Sequence, residues 1–282
     1  MRLATARTDR DETLPVVIDP ANGVLAVRDL TDAPPTDTMS LLDPATWSRL
    51  ERLSANPPSD ARDLGDPPLV APYRRPRKIW GIGLNYVDHA SDLSEKVPDE
   101  PASFIKGDHT IIGPGEPIPL PAQSERVTAE AEMGLVIGSY CRDVSEEDAL
   151  AHVAGIVPVL DQTAEDILAR NPRYLTRSKN FPGFFSFGPH IIGLDEVLST
   201  VGSLADVEVA TVIDGRVERV NTVARMRYSP EFLVSFHSRV MPLFPGDIIS
   251  TGTPGAVPLR PGMEAQCRIT GLAELRNPVG PA

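Results

Sequence analysis

Apolar and polar residues alternate over many short stretches of this chain, and proline and glycine interrupt the stretches. The 282 residues include 29 prolines and 21 glycines, which punctuate alternating segments as turns. This pattern predicts many short strands and few helices. Two segments have a helical repeat instead: residues 44–53, preceded by Asp43 as a candidate N-cap, and residues 230–240.

Two of the predicted strand regions bear on function. Residues 205–228 alternate around the turn Asp214-Gly215, which predicts a hairpin. Residues 155–160 form a continuous apolar run, which predicts a buried strand that leads directly into Asp161.

Composition along the chain suggests two domains. Residues 56–68 are rich in proline, aspartate and serine, as in a linker, so we place a boundary near residue 72. This divides the chain into a small N-terminal domain, residues 1–72, and a larger domain, residues 73–282. Within the larger domain, the charged residues 91–103 predict a mobile flap.

Two glutamates lie one residue apart in the strand-like segment from Ala129 to Met133. Side chains two residues apart on a strand point to the same side, so Glu130 and Glu132 would share a face opposite a wholly apolar one. Adjacent like charges are unfavourable unless a cation, a partner or water lies between them. With Asp161 they would form an all-oxygen site, which favours Mg²⁺, Mn²⁺ or Ca²⁺ over zinc. The alternative is a solvated strand face with two surface acids.

Charge and composition exclude several classes of protein. The net charge of −12 argues against nucleic-acid binding, because no basic stripe could neutralise phosphates. Cys141 and Cys267 provide neither a disulfide framework nor a thiolate metal site. No apolar run approaches a membrane span, and the N-terminus lacks a signal peptide. We therefore expect a cytoplasmic protein with no membrane partner.

Three further places carry residues suited to chemistry. His89 and Asp92 are three apart, so in a helical turn the carboxylate could orient the imidazole as a base; the alternative is a histidine that packs locally. Lys179 precedes four phenylalanines within seven residues, where partial desolvation would suit it to stabilise an enolate; the alternative is a surface lysine. Thr253 lies in a Gly/Pro-rich segment that could bind an anion or simply turn the chain.

In their order, these motifs resemble the fumarylacetoacetate hydrolase family. The resemblance covers about residues 73–280 and implies an α+β, mainly β fold, with a mixed β-roll catalytic domain and a small N-terminal α/β domain. The matching segments are Gly83-Leu84-Asn85-Tyr86 with His89, Glu130-Ala131-Glu132, Asp161 with Thr163-Ala164 and Asp166, Lys179, Gly188-Pro189, Pro245-Gly246-Asp247 and Thr251-Gly252-Thr253-Pro254-Gly255.

The resemblance also implies roles for these residues. It implies Mg²⁺ or Mn²⁺, with Ca²⁺ as an alternative, held by the three carboxylates named above, and a homodimer. His89 matches the family's base, Asp92 its acidic helper, and Lys179 a catalytic lysine. Tyr86 and Thr253 match positions that contact the substrate.

Two positions depart from the family pattern. The segment after the metal aspartate usually carries an arginine and a glutamine near the substrate, and here these are Glu165 and Leu168. The change to glutamate reverses the charge and would disfavour a substrate carboxylate there. Arg170, Arg173 and Arg177 are candidates to replace the lost arginine.

These observations support three hypotheses. The first is a metal-dependent hydrolase that cleaves a C–C bond in a β-diketo acid of acylpyruvate or fumarylacetoacetate type, with water activated by His89. The second keeps the enolate without attack by water, as in an oxaloacetate-type decarboxylase or a 2-keto acid dehydratase or isomerase. The third is a non-catalytic protein that retained the scaffold. In the first two the partner is a small keto acid.

Overall fold

The computed structural model describes residues 1–32, 37–86 and 99–281, which form the expected α+β, mainly β architecture. Within these ranges the helices are α1 (Val27–Leu30), α2 (Pro44–Ala55), α3 (Glu146–Ala149), α4 (Glu165–Arg170), α5 (Leu175–Lys179), α6 (Leu194–Val201) and α7 (Pro230–Val240). The strands are β1 (Arg2–Arg7), β2 (Thr13–Asp19), β3 (Gly23–Ala26), β4 (Leu69–Val70), β5 (Ile79–Gly83), β6 (Ala102–Lys106), β7 (Ile111–Ile112), β8 (Val127–Ile137), β9 (Val153–Ala164), β10 (Phe185–Phe187), β11 (His190–Gly193), β12 (Glu208–Ile213), β13 (Arg216–Thr222), β14 (Ile248–Ser250), β15 (Val257–Pro258), β16 (Glu264–Ile269) and β17 (Ala273–Pro278).

The strands form two sheets. The larger follows the order β3-β2-β1-β11-β9-β8-β14-β5-β6, with four short strands paired alongside, and the smaller has the order β13-β12-β16-β17. The long strands β8 and β9 pair antiparallel in the middle of the larger sheet. The Met133 face of β8 packs in one core, against the smaller sheet, whereas Val136 packs in a second core with Val157 and Val159 of β9. Both faces of this strand pair are therefore covered.

The N-terminal strands continue the larger sheet. β1 pairs antiparallel with β11, with Leu3 opposite Ile191. The predicted helix is present as α2, and the Asp43 carboxylate accepts a hydrogen bond from the Thr46 backbone N–H at 3.0 Å. Leu50 of this helix is buried in the second core. The division near residue 72 stays a prediction.

The predicted hairpin is the pair β12 and β13. Asp214 and Gly215 have φ values of 48° and 79° at the turn, the left-handed geometry that a two-residue hairpin loop requires. The predicted second helix is α7, in which the Ser229 hydroxyl accepts from the Phe232 backbone N–H at the N-cap. The structure therefore agrees with the short-range patterns in this half of the chain.

The predicted flap is wrong at its C-terminal end. Residues 91–98 lie outside the described ranges, but Ala102 and Ser103 belong to β6, which pairs antiparallel with β5. Phe104 and Lys106 on this strand are buried and Ile105 is exposed, which is the alternation of a strand with one covered face. The charged residues before position 100 obscured this short alternation in the sequence.

Candidate metal centre

Strand pairing brings the three predicted carboxylates together. Glu130 lies directly opposite Asp161 in the β8–β9 ladder, and Glu132 follows two residues along on the same face. One carboxylate oxygen from each residue lies within 4.8 Å of the others. Glu132 and Asp161 are buried, and the Glu130 side chain is only 12% exposed. The alternative of a solvated strand face is therefore excluded.

Two lysines bind the carboxylate of Asp161, one at each oxygen. Lys106, on β6, forms a buried ion pair with Oδ1 and also donates to the Gln162 carbonyl at 3.3 Å. Lys179, the last residue of α5, donates to Oδ2 at 2.6 Å and to Glu130 Oε2 at 2.8 Å. The lysine predicted from the sequence is thus part of the carboxylate cluster and not a surface residue.

Burial and charge act differently on the two lysines. Burial lowers the pKa of Lys106 to about 8, despite the opposing effect of the Asp161 charge, and the nearby Lys179 lowers it further. Burial alone would also lower the pKa of Lys179, but the charges of Asp161 and Glu130 outweigh it and raise the pKa above its ordinary value. Lys179 is therefore a firmly protonated cation at neutral pH.

The remaining carboxylate oxygens have their own donors. Glu132 Oε2 accepts from the Ser250 hydroxyl at 2.5 Å and from the Gly252 backbone N–H at 2.9 Å. Glu130 Oε1 accepts from the Thr163 hydroxyl at 2.7 Å. The end of β14 and the end of β9 thereby fix the orientation of both glutamates.

The cluster fits a hard divalent cation. Three carboxylates face two ammonium groups, which leaves one negative charge in a buried site. Burial first, and then the charge of Asp161, raise the pKa of Glu132 to about 8, so its ionised form lacks sufficient compensation. A divalent cation would supply that charge, and an all-carboxylate set suits Mg²⁺, Mn²⁺ or Ca²⁺.

Asn85 and Tyr86 connect the loop after β5 to this centre. The Asn85 amide donates to the carbonyls of Thr251 (2.7 Å) and Tyr228 (3.1 Å), and its oxygen accepts from the Tyr228 N–H at 2.9 Å. Tyr86 is buried, and its hydroxyl has no hydrogen-bond partner among the described residues. Burial, followed by the charge of Glu132, raises the pKa of Tyr86 above its usual range. This hydroxyl is a neutral polar group close to Glu132.

Thr253 lies in the loop that supports Glu132. Its hydroxyl accepts from the Gly255 backbone N–H and donates to the Gly255 carbonyl, both at 3.2 Å. These bonds close a tight turn within the loop, and the same loop provides Gly252 N–H to the carboxylate cluster. A contact between Thr253 and substrate stays a prediction.

The four phenylalanines that follow Lys179 in the sequence do not all pack together beside its ammonium group. Phe184 packs in the first core, and Phe185 and Phe187 pack in the second. The ring beside the Lys179 ammonium is Phe104 of β6, at 4.8 Å from its centroid. Density of aromatic residues along the chain was misleading, because the backbone directs neighbouring side chains into separate cores.

The acidic residues after the cluster point elsewhere. The Glu165 carboxylate forms an ion pair with Arg126, and Asp166 accepts from the Ser124 hydroxyl at 2.5 Å and from Arg170 at 2.9 Å. Neither belongs to the group of converging carboxylates. The negative charge that Glu165 introduces at this position is therefore paired with Arg126 of the same chain.

His89 and Asp92 lie outside the described residues, so their predicted roles as base and helper stay predictions.

Several residues that hold the cluster were not identified from the sequence. For Lys106 the sequence did contain one indication: it lies two residues after Phe104, so on a strand both side chains would point to the same, buried face. For Ser250 no local signal exists, because a serine at the end of a strand is common.

Comparisons with known proteins identify the family of this chain. The family model described as fumarylacetoacetate (FAA) hydrolase C-terminal matches residues 78–280. A relative named oxaloacetate tautomerase Fahd2a, mitochondrial, from Rattus norvegicus is 33% identical over 219 residues, covering 75% of this chain and 69% of the relative.

Two solved structures share nearly the whole fold. The 5-carboxymethyl-2-hydroxymuconate delta-isomerase from Mycobacterium smegmatis has a TM-score of 0.77 and 28% identity, covering 99% of this chain and 98% of that one. The fumarylacetoacetate hydrolase from Exiguobacterium antarcticum has a TM-score of 0.82 and 27% identity, with both chains fully covered. Among the described residues, no helix is both long enough and apolar enough to span a membrane. The match over residues 78–280 establishes that this chain belongs to the fumarylacetoacetate hydrolase family.

Proposed function

We propose that this protein is a divalent-metal-dependent enzyme that forms the enolate of a small keto acid. The observation that carries the proposal is the convergence of Glu130, Glu132 and Asp161 with two buried lysines. The proteins it is similar to bear names of tautomerase, isomerase and hydrolase activities, and these reactions share an enol or enolate of a carbonyl compound.

The charge balance of the site favours an anionic substrate. The three carboxylates and two lysines leave one negative charge, and a bound divalent cation would change this to one positive charge. A substrate carboxylate would neutralise that charge, which counts for more in a buried site than in water. The positive balance also opposes binding of a cationic substrate.

Each side chain would then have a defined task. When bound, the ion would polarise the substrate's carbonyl oxygens. The Lys179 ammonium, held between Asp161 and Glu130, would stabilise negative charge that develops on the substrate. The buried Tyr86 hydroxyl would donate a hydrogen bond to a substrate oxygen. We assign proton removal to His89 with Asp92 as its helper, on the sequence alone.

Three reactions would pass through an enolate of this kind. Return of the proton to a different atom gives a tautomerase or isomerase, and this outcome is favoured by the 33% identity to the rat tautomerase. Glu165, which stands in place of the family's arginine and is paired with Arg126, also favours a reaction other than the usual hydrolysis. In hydrolysis of an acylpyruvate, water would attack the distal carbonyl and the adjacent C–C bond would break, with the enolate of pyruvate as leaving group; the likeness to a solved fumarylacetoacetate hydrolase supports this outcome. In the third reaction the keto form of oxaloacetate would lose carbon dioxide, and the electron pair of the broken C–C bond would form the enolate of pyruvate, which is then protonated.

Product identification distinguishes these reactions. The protein would be stripped of metal, reloaded with Mg²⁺ or Mn²⁺, and incubated with enol-oxaloacetate or with an acylpyruvate. Loss of the enol's ultraviolet absorbance faster than in a protein-free control would report tautomerisation, which leaves the mass unchanged. Mass spectrometry would identify hydrolysis by a gain of water and two acid products, and decarboxylation by pyruvate and carbon dioxide. The metal-loaded protein is expected to convert at least one of these keto acids, and the Glu132→Gln variant is expected to convert none. Inactivity of the loaded protein toward all these acids would contradict the proposal and favour a non-catalytic protein.

A separate variant tests the base. His89→Ala should abolish turnover while divalent-metal affinity, measured by calorimetry, stays within about twofold of the parent, because the three carboxylates are intact. His89→Gln serves as the variant of more similar size. Unchanged turnover in either variant would reject the role of His89.

A further inference from the structure

The β8–β9 ladder continues past the carboxylate cluster toward one end of the larger sheet. Glu130 lies opposite Asp161. The same register, continued by four residues, places Arg126, just before β8, opposite Glu165, the first residue of α4. The Glu165 backbone N–H donates to the Arg126 carbonyl at 2.9 Å. Because alternate residues of a strand share a face, Arg126 extends the row of side chains that contains Glu130.

This row leads from the interior of the protein to solvent. The exposed fraction of the side chain is 1% for Asp161, 12% for Glu130, 27% for Glu165 and 57% for Arg126. Between the two ends, Thr128 is buried, and its hydroxyl donates to Glu130 Oε1 at 3.4 Å. Arg126 lies roughly 14 Å from Glu130 along the strand. A molecule that extends from the cluster along this row would therefore meet the Arg126 guanidinium.

Glu165 holds one edge of the Arg126 guanidinium and leaves the other edge free. Its carboxylate accepts a hydrogen bond from Nε, and neither Nη atom has a partner among the described residues. A guanidinium binds a carboxylate through two parallel N–H bonds, which fixes orientation as well as adding affinity. The ion pair thus presents an oriented pair of donors at the surface end of the row.

The surroundings of Arg126 have a positive charge balance. Residues 123–126 are tied to α4 and α5, because Ser124 donates to Asp166 and Arg177 donates to Gln123. Together, residues 123–126, 165–170 and 173–177 contain four arginines and three acidic residues. Their net charge is therefore +1, in a chain whose net charge is −12. A positive region beside a binding site attracts anions.

We propose that Arg126 binds a second carboxylate at the far end of the substrate, so that this protein prefers keto diacids to keto monoacids. The inference rests on the proposed function, in which the 2-keto acid end of the substrate lies at the carboxylate cluster. Glu165, where the family usually carries an arginine, then positions a guanidinium that comes from the neighbouring strand. The charge reversal at position 165 does not remove the cationic group from this region.

A matched pair of ligands tests this preference by binding alone. 2-Oxoadipate and 2-oxohexanoate have carbon chains of equal length and differ in one end, which is a carboxylate in the first and a methyl group in the second. Isothermal titration calorimetry of the Mn²⁺-loaded full chain should show at least about tenfold tighter binding of 2-oxoadipate. In Arg126→Gln this difference should disappear through weaker binding of 2-oxoadipate, whereas the affinities for Mn²⁺ and 2-oxohexanoate should stay within about twofold of the parent.

Two further variants separate the guanidinium geometry from charge alone. Arg126→Lys keeps the charge but lacks the planar pair of donors, so it should retain only part of the preference. Arg170→Gln is the matched control, because Arg170 is 54% exposed and is likewise ion-paired, with Asp166. This control should keep the full preference for 2-oxoadipate. Arg126→Gln should melt at the same temperature as the parent, because an exposed ion pair adds little to stability.

The possible failures are distinguishable. Equal affinities of the parent for the two ligands would overturn this inference and leave the proposed function standing. Equal losses of preference in Arg126→Gln and Arg170→Gln would overturn the assignment to Arg126, since the general charge of the region would then explain the binding. If the Mn²⁺-loaded protein bound neither ligand, the proposed function would fail and this inference would fail with it.

Discussion

Lys179 Nζ lies 2.6 Å from Asp161 Oδ2, with both side chains almost fully buried. This bond joins the end of α5 to the C-terminal part of β9, eighteen residues earlier in the chain. Removing the cation from a buried carboxylate is destabilising; without Lys179, Asp161 would keep only Lys106, and Glu130 would lose its ion-pair partner. The pair therefore affects both the stability of the protein and the charge available for chemistry.

Replacing Lys179 by methionine should separate these two effects. Lys179→Met keeps the length of the side chain and removes its charge, so turnover should fall by about a hundredfold or more if the ammonium stabilises a developing oxyanion. The metal-free variant should also unfold at a lower temperature, and Mn²⁺ should raise its melting temperature by more than it raises that of the parent. Differential scanning fluorimetry with and without Mn²⁺ checks the second point.

Lys78→Met is the matched control for this variant. Lys78 pairs with buried Asp247 at 2.6 Å, outside the converging carboxylates. Loss of this pair should destabilise the protein, but Mn²⁺ should raise the melting temperature of Lys78→Met by the same amount as that of the parent. Equal increments in the two variants would show that Lys179 has no special relation to the metal site.

Neutralising Glu132 should remove the metal site with little change in shape. In Glu132→Gln the amide oxygen can still accept from Ser250, but one of three anionic donors is lost. We expect Mg²⁺ or Mn²⁺ affinity to fall by at least about a hundredfold, more than the loss caused by changes outside the direct ligands. Glu165→Gln should leave the affinity unchanged, because that carboxylate pairs with Arg126. Isothermal titration calorimetry measures both, and equal affinities would refute the assignment.

Asn85 should contribute to stability well beyond its size. Its side chain makes three hydrogen bonds to the backbone of Tyr228 and Thr251, and Asn85→Ala would leave those buried groups unsatisfied. The free energy of unfolding should decrease by about 2–4 kcal/mol, as measured by urea denaturation. Asn56→Ala, at an exposed helix end, should cost less than about 0.5 kcal/mol; a similar cost at position 85 would mean that solvent replaces its bonds.

His190 should make the protein sensitive to mild acid. Burial, with the nearby charge of Arg2, lowers the pKa of His190 to about 4, and its Nε2 accepts from Arg2 Nη1 at 3.1 Å in the neutral form. Between an unfolded pKa near 6.5 and the folded value, the unfolded chain binds more protons. The free energy of unfolding should therefore fall as the pH decreases through this window, by about 2 kcal/mol from this group at pH 5.

Denaturation of His190→Gln at pH 7 and pH 5 isolates this contribution. Glutamine can still accept from Arg2 but does not titrate, so the variant should lose about 2 kcal/mol less than the parent over that interval. Identical losses in both proteins would assign the acid sensitivity to other groups.

Local periodicity predicted much of the secondary structure and part of the site. The two-residue spacing of Glu130 and Glu132 on an apolar-backed strand was enough to place them on one face, because strand geometry is a property of the backbone. The helix after Asp43 and the turn at Asp214-Gly215 were likewise predicted, since caps and tight turns depend on neighbouring residues. Asp161, at the end of an apolar run, and Lys179, before the phenylalanines, were also singled out from their local sequence, and the resemblance to a family then supported their roles.

Non-local pairing decided the rest. Lys106 reaches Asp161 only because β6 lies beside β5 at one end of the larger sheet and α5 packs against it, and no pattern within five residues encodes that arrangement. The phenylalanines near Lys179 misled for the same reason, since adjacent positions on the chain enter different cores.

By itself, the sequence determined which residue types could share a face and that three carboxylates were present for a hard cation. Only the tertiary structure decided which cations meet them, which oxygens they bind, and that Glu165 turns away to Arg126. The physical reason is that side-chain direction follows from the local backbone, whereas contacts between distant strands and helices depend on how the whole chain buries its apolar surface.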